Sequence, residues 1–141
     1  MKVQTGFVGL LAVGLLAGIL AISGCSGGAA PAVDPATAVA ATTAADGTQV
    51  STVTVGDKMS FDPAAISVHA GQPVTLTLHN TGGMPHDFSL SEGVSQPVKI
   101  TANGGQDTSD TFTLNKPGKY AFDCSMPGHA MGGMRGVIIA Q

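Results

Sequence analysis

From about Gln49 to Gln141 the apolar residues fall at every second position, and this period of two excludes most folds. Val53 and Val55 alternate with threonine in VSTVTV, and Ile66 and Val68 alternate in AISVHA. Val74, Leu76 and Leu78 alternate with Thr75, Thr77 and His79 in PVTLTLHN. The spacing returns as Phe88 and Leu90 in HDFSLS, Phe112 and Leu114 in DTFTLN, Tyr120, Phe122 and Cys124 in KYAFDC, and Val137 and Ile139 in GVIIAQ. Successive side chains of a strand point to opposite faces, so each run has one apolar face to bury. Turn-forming residues separate the runs: Asp62-Pro63, Ala70-Gly71, Gly82-Gly83, Asn103-Gly104-Gly105 and Pro117-Gly118. No stretch carries the spacing of a convincing amphipathic helix. The pattern predicts an all-β antiparallel sandwich or barrel of seven to eight short strands.

The first part of the chain has another character. Lys2 precedes an uninterrupted run of apolar residues and glycines from Phe7 to Ile22, which ends at Ile22-Ser23-Gly24-Cys25. A positive start and a short apolar run read as a secretory signal, since a spanning helix needs about 20 apolar residues. Ile-Ser-Gly-Cys resembles a bacterial lipobox, which makes residues 1–24 a lipoprotein signal peptide and Cys25 the lipidated first residue. The competing reading is an uncleaved anchor. Both put the folded domain outside the cytoplasm, held to the bacterial cell membrane on its periplasmic or outer face. Residues 25–48 are rich in Ala, Gly, Thr and Pro, with two charges, Asp34 and Asp46, and no apolar face to pack. They read as a flexible tether. Residues 49–141 are then the one folded domain.

Charge narrows the function. The chain has six Lys and Arg against nine Asp and Glu, a formal net charge of -3. Loss of the signal peptide removes Lys2 alone, leaving nine acids against five bases. No basic surface invites nucleic acid, and no polybasic patch reaches for lipid headgroups. Two cysteines in an exported chain would first suggest a disulfide. Here Cys25 has its own use in the lipobox, and Cys124 has another.

Cys124 opens the sequence Cys-Ser-Met-Pro-Gly-His129-Ala-Met-Gly-Gly-Met134, a Cys-x4-His-x4-Met spacing in a loop between two strand patterns. Cys124 lies in phase with Tyr120 and Phe122, at the strand's end, so its thiolate enters the top of the sandwich. Pro127, Gly128, Gly132 and Gly133 let the loop fold back, so His129 and Met134 aim at the same point. A trigonal copper site wants a second imidazole, and His86 is the best source, at the end of a hairpin after Thr81-Gly-Gly-Met-Pro85. His79 is out of phase with its apolar neighbours and His69 precedes a turn, so both are expected at the surface. Met126 and Met131 compete with Met134 for the thioether place; Met131 lies only two residues from His129, and Met134 stands just before the last strand. Two imidazoles, a thiolate and a distant thioether suit one copper ion passing between Cu(I) and Cu(II). Methionine is not a usual zinc ligand. Four protein donors leave no open position for a substrate, which argues against an enzyme.

The runs VTLTLHN to PHDF and PGKYAFDCSMPGHAMGGMRG resemble the cupredoxin family of small blue-copper proteins, over the whole domain. The spacing of four between ligands, the tether and the Ala-rich linker are most similar to the auracyanins; rusticyanins share the loop length. The resemblance implies an eight-stranded Greek-key sandwich, one type 1 copper and single-electron transfer. By it His86, Cys124, His129 and Met134 carry over as ligands, with Met134 axial. The residue after the first histidine is often asparagine in the family and is Asp87 here, a side chain that cannot donate when ionised.

The function expected is that of a membrane-tethered carrier of single electrons outside the cytoplasm, with an extracytoplasmic copper carrier or store as the alternative. A metal-free interaction module and an accessory domain of a copper enzyme fit less well. The partners expected are redox proteins, donor and acceptor, docking transiently on an apolar rim round His129 made by Met84, Pro85, Met126, Pro127, Ala130 and Met131. The lipid on Cys25 engages the membrane, and the chain is expected to be a monomer.

Overall fold

The structure, a computed structural model, describes residues 35–141. The signal peptide, Cys25 and the tether's first part lie outside the described residues. After a 3-10 turn at Pro35–Thr37 come ten strands: β1 (Val39–Ala40), β2 (Thr42–Thr43), β3 (Gln49–Val55), β4 (Ala65–Val68), β5 (Pro73–Asn80), β6 (His86–Leu90), β7 (Val98–Ala102), β8 (Asp107–Thr113), β9 (Gly118–Asp123) and β10 (Arg135–Ala140). They form two sheets, one ordered β1-β4-β10-β9-β6-β7 and the other β2-β3-β5-β8. The all-β expectation holds, and β3 to β10 are the eight strands that the family resemblance implies.

Alternation decides what lies between the sheets. Along β5, Val74, Leu76, Leu78 and Asn80 are buried while the residues between them are not. Phe88 sits at the centre of the core, its ring centroid 4.5 Å from Phe122 and 6.2 Å from Phe112; Phe61 meets Phe122 edge to face at 5.0 Å. With no tryptophan in the chain, these four rings supply the largest apolar surfaces in the core.

Within residues 49–141 the structure corrects the sequence reading in three places. The sandwich is mixed, not antiparallel: β3 pairs with β5 in parallel, and β10 with β4. Alternation reports which face a residue takes, not the direction of its neighbour. Because β4 belongs to the other sheet, the chain returns to β5 running the same way as β3. The phase of β10 is also opposite to expectation. Gly136, Ile138 and Ala140 face the core, while Val137 is only half-buried. Four consecutive apolar residues cannot fix a phase of two; Gly136 does, since a Cβ there would lie 2.2 Å from Cζ of Phe122. Finally, β7 has no counterpart among the expected strands, although Val98, Ile100 and Ala102 alternate with Lys99 and Thr101.

The segment expected as the second half of the tether is paired within the described structure. Val39 and Ala40 run parallel to Ile66 and Ser67, and Thr42 and Thr43 lie antiparallel to Val50 and Gln49. The Ala41 N–H donates to the Ser67 carbonyl at 2.9 Å between these pairings. The segment thus crosses from the edge of one sheet to the edge of the other. Its side chains gave no signal because they are mostly exposed, Val39 at 53%. Main-chain hydrogen bonds hold it, and these leave no mark on an apolar pattern.

Candidate metal centre

Two loops at one end of the sandwich build the site. The loop between β5 and β6 is set by Asn80, which continues the inward phase of Leu76 and Leu78 and is fully buried. Its Nδ2 donates to the carbonyls of Met84 at 2.7 Å and Ala102 at 3.0 Å, and its Oδ1 accepts the Gly82 N–H at 3.0 Å. Thr81 donates from its N–H and its hydroxyl to the Val55 carbonyl, both at 3.0 Å. The Gly83 N–H donates to Asp57 Oδ1 at 3.0 Å. Gly82 lies so close to Asp57 that a Cβ there would be 2.6 Å from Oδ1. These contacts fix the start of β6 and bury His86 completely. Neither of its ring nitrogens has a hydrogen-bond partner. Asn80 was missed from the sequence. Its signal was there: an amide at a core phase, directly before a loop with two glycines.

The second loop follows β9. Cys124 keeps the phase of Phe122 and is fully buried. The loop closes on itself: the Met134 N–H donates to the His129 carbonyl at 3.0 Å, and the Cys124 N–H donates to the Met134 carbonyl at 3.2 Å. Gly128 and Gly133 take φ of 85° and 100°, where a side chain would be strained. The fold-back leaves Cys124 Sγ 3.4 Å from His129 Nδ1. One donor atom from each of His86, Cys124 and His129 lies within 4.8 Å of the others. The two imidazole centroids are 4.9 Å apart.

The three methionines separate sharply. Met134 is fully buried in the same apolar cluster as Cys124, Met126 is partly buried against that cluster, and Met131 is 89% exposed. His79 is away from this group, with Nδ1 2.5 Å from Asp107 Oδ1 on the outer face of the four-stranded sheet. His69 is exposed, and only its backbone is engaged, by Gln49.

Asp87 joins the two loops. It is fully buried, and its N–H donates to Cys124 Sγ at 3.4 Å. Its carboxylate accepts the Ser125 N–H and hydroxyl, each at 2.6 Å, and lies 3.3 Å from Lys99 Nζ. Burial pushes the acid's pKa up, but the Ser125 hydrogen bonds and Lys99 outweigh it, holding the group below the usual carboxylate range. The side chain that cannot donate is used as an acceptor instead. For His86, burial and the neighbouring His129 push the pKa down; the nearby Gly56 carbonyl, which closes no hydrogen bond to the ring, opposes them along with Asp57 and Asp87. Burial pushes the Cys124 thiol up against the pull of the Asp87 and Met126 main-chain N–H groups.

This donor set fits copper. A buried imidazole with both nitrogens unpartnered, a second imidazole and a sulfur that must lose a proton to bind are what a soft, imidazole-tolerant cation requires. The Asp87 carboxylate is paired with Lys99, and its oxygens are already taken by Ser125.

The comparisons agree with this geometry. A family model for the cupredoxin-like domain matches residues 30–140. The copper-resistant cuproprotein CopI of Rubrivivax gelatinosus is 27% identical over 106 residues, 63% of this chain and 64% of its own. The chain therefore spans less than two thirds of that relative's length. Among solved structures, auracyanin A, a "blue" copper protein from the green thermophilic photosynthetic bacterium Chloroflexus aurantiacus, superposes with a TM-score of 0.60 at 23% identity, over 67% of this chain and all of that one. The metal binding domain of the Streptococcus pneumoniae Cu(I) exporting P-type ATPase CopA superposes with a TM-score of 0.57 at 19% identity, over 73% of this chain and 94% of that one. At these identities the structural likeness shows the fold alone.

Proposed function

The chain belongs to the cupredoxin-like family and carries its His–Cys–His copper-binding group, and from that premise we propose that it transfers single electrons between proteins outside the cytoplasm. The observation that carries this reading is the assembly of the donors. Three ligand atoms on three separate backbone positions lie within 4.8 Å of one another, held by hydrogen bonds that do not involve the metal. Copper held there supplies a one-electron couple between Cu(I) and Cu(II). The chain's own residues limit how far the donors move when the charge changes. Asp87 and Ser125 fix one loop against the other, Asn80 fixes the entry to β6, and Gly128 and Gly133 fix the return of the ligand loop. Small rearrangement favours fast transfer.

In this reading His86, Cys124 and His129 would hold the ion and Met134 would supply the thioether, favoured by its complete burial in the same cluster as Cys124. His129 is half-buried, and the exposed residues Met84, Pro85, Pro127 and Met131 stand round the same end. An apolar rim allows brief docking of donor and acceptor with little desolvation. The protein is no enzyme, acts as a monomer, and is tied to the membrane by a lipid on Cys25.

The test is to add Cu(II) to the purified soluble domain and record visible and EPR spectra. Intense thiolate-to-copper charge transfer with narrow hyperfine splitting is expected; colourless or weakly held copper removes the reading. A second reading, a copper carrier or store, draws support from the relative named for copper resistance and from the exposed thioether of Met131. Rapid loss of copper to a chelator, or its transfer to an apo partner, would favour that reading.

A further inference from the structure

A buried negative charge next to the metal site has its counter-charge at the protein surface. β7 is the edge strand of its sheet, and its alternation buries Val98, Ile100 and Ala102 and turns Lys99 outward. Lys99 lies opposite Ser89 of β6, and Asp87 is two residues before Ser89 on the same strand. Such diagonal neighbours on one face of an antiparallel pair are within reach of a long side chain. The Lys99 ammonium accordingly lies 3.3 Å from Asp87 Oδ2, with the lysine side chain 57% exposed and the aspartate fully buried. Among the described residues no other lysine or arginine is ion-paired to a carboxylate.

Asp87 follows His86 in the chain, and its N–H donates to Cys124 Sγ at 3.4 Å. Its charge reaches the sulfur: burial raises the thiol's pKa most, and the Asp87 carboxylate raises it further. The same field favours Cu(II) over Cu(I) in a bound ion, because the more positive ion gains more from a fixed negative charge. The Ser125 N–H and hydroxyl, each at 2.6 Å, hold the carboxylate ionised but bring no net charge. The Ser89 hydroxyl, at 3.4 Å, brings none either. Of the groups round this carboxylate, Lys99 alone carries a positive charge. On the reading that the chain carries single electrons on copper, we propose that Lys99 is a positioning residue for that transfer. Held in place by Asp87, it offsets the buried charge and sets the copper's reduction potential above the value that the carboxylate alone would give. Water screens the ammonium on one side, so its effect is smaller than that of a buried cation.

The experiment equilibrates the full mature, copper-loaded chain, in mild detergent, with a soluble redox mediator set so that the wild-type copper is half reduced. In Lys99→Gln the ratio of Cu(II) to Cu(I), read from the thiolate-to-copper band, should rise about fivefold. Lys99→Arg keeps the charge and should leave the ratio near wild type. In an Asp87→Asn background nothing holds the ammonium near the site, so adding Lys99→Gln should shift the ratio much less. An intact band with an unmoved ratio in Lys99→Gln overturns the inference. So does a shift of the same size in Lys99→Arg or in the Asp87→Asn background. Loss of the band in Lys99→Gln makes Lys99 a support of the site's structure and overturns the inference too. A wild-type chain without the band overturns the electron-carrier reading itself, and this inference with it.

Discussion

The two loops that build the site differ in how they are made. The loop after β9 carries Cys124, His129 and Met134 within one short stretch, and its own turns and hydrogen bonds bring them together. The loop before β6 carries one candidate ligand, His86, and has little structure of its own. It is shaped by Asn80 below it, by Val55 and Asp57 from the end of β3, and by Ala102 from β7. One half of the centre is therefore local and the other is imposed by the fold. A local loop tolerates distant change as long as its glycines and its cysteine survive. An imposed loop fails when any of several remote supports is removed.

Four measurements break or sharpen this contrast. The largest effect is expected from Cys124→Ser, which removes the thiolate and should abolish the blue charge-transfer band completely while the apo-domain remains folded by circular dichroism. Next, Asn80→Ala attacks the imposed half without touching a ligand. It leaves two carbonyls and an N–H without their side-chain partner, so denaturation of the apo-protein should show a loss of about 2–3 kcal/mol. Copper affinity should fall with it; a stable variant with unaltered copper binding would show that His86 needs no such support. Asp87→Asn is smaller and tests the junction between the loops. Asparagine can still accept from Ser125, but the negative charge on the residue that donates its N–H to the sulfur is gone. Electrochemistry should show the reduction potential raised by roughly 60 mV, about 1.4 kcal/mol for one electron. An unchanged potential would mean that Lys99 already cancels the carboxylate. The smallest change to the centre itself is expected from Met131→Lys: an unaltered copper spectrum, but slower electron exchange with the partner in stopped-flow experiments. An unchanged rate removes the rim from the docking face.

Much of this is legible in the sequence. The alternation of Leu76, Leu78, Phe88 and Phe112 gave the core face directly, since burial on one side of a strand is a local rule. The Cys-x4-His-x4-Met spacing was equally plain, because the residues that meet are close in sequence. What escaped notice had no such local trace. The parallel pairing of β3 with β5 depends on β4 crossing to the other sheet. The phase of β10 depends on Phe122 occupying the space above Gly136. The pairing of Val39 and Thr42 rests on main-chain bonds. Asp87 was read as a lost donor, and only the nearness of Ser125, 38 residues on, makes it a useful acceptor.

The sequence by itself determined that this chain folds as a β-sandwich, which residues of β3 to β6, β8 and β9 face its core, and that Cys124, His129 and a methionine share one loop. Those follow from periods and spacings of a few residues, over which backbone geometry is nearly fixed. The tertiary structure decided that His86 arrives beside the sulfur with both nitrogens free, that Met134 is the methionine buried there, and that Asp87 ties the two loops together. Such meetings join positions dozens of residues apart. They are settled by how two sheets pack and how the loops meet at one end, and no local pattern encodes that arrangement.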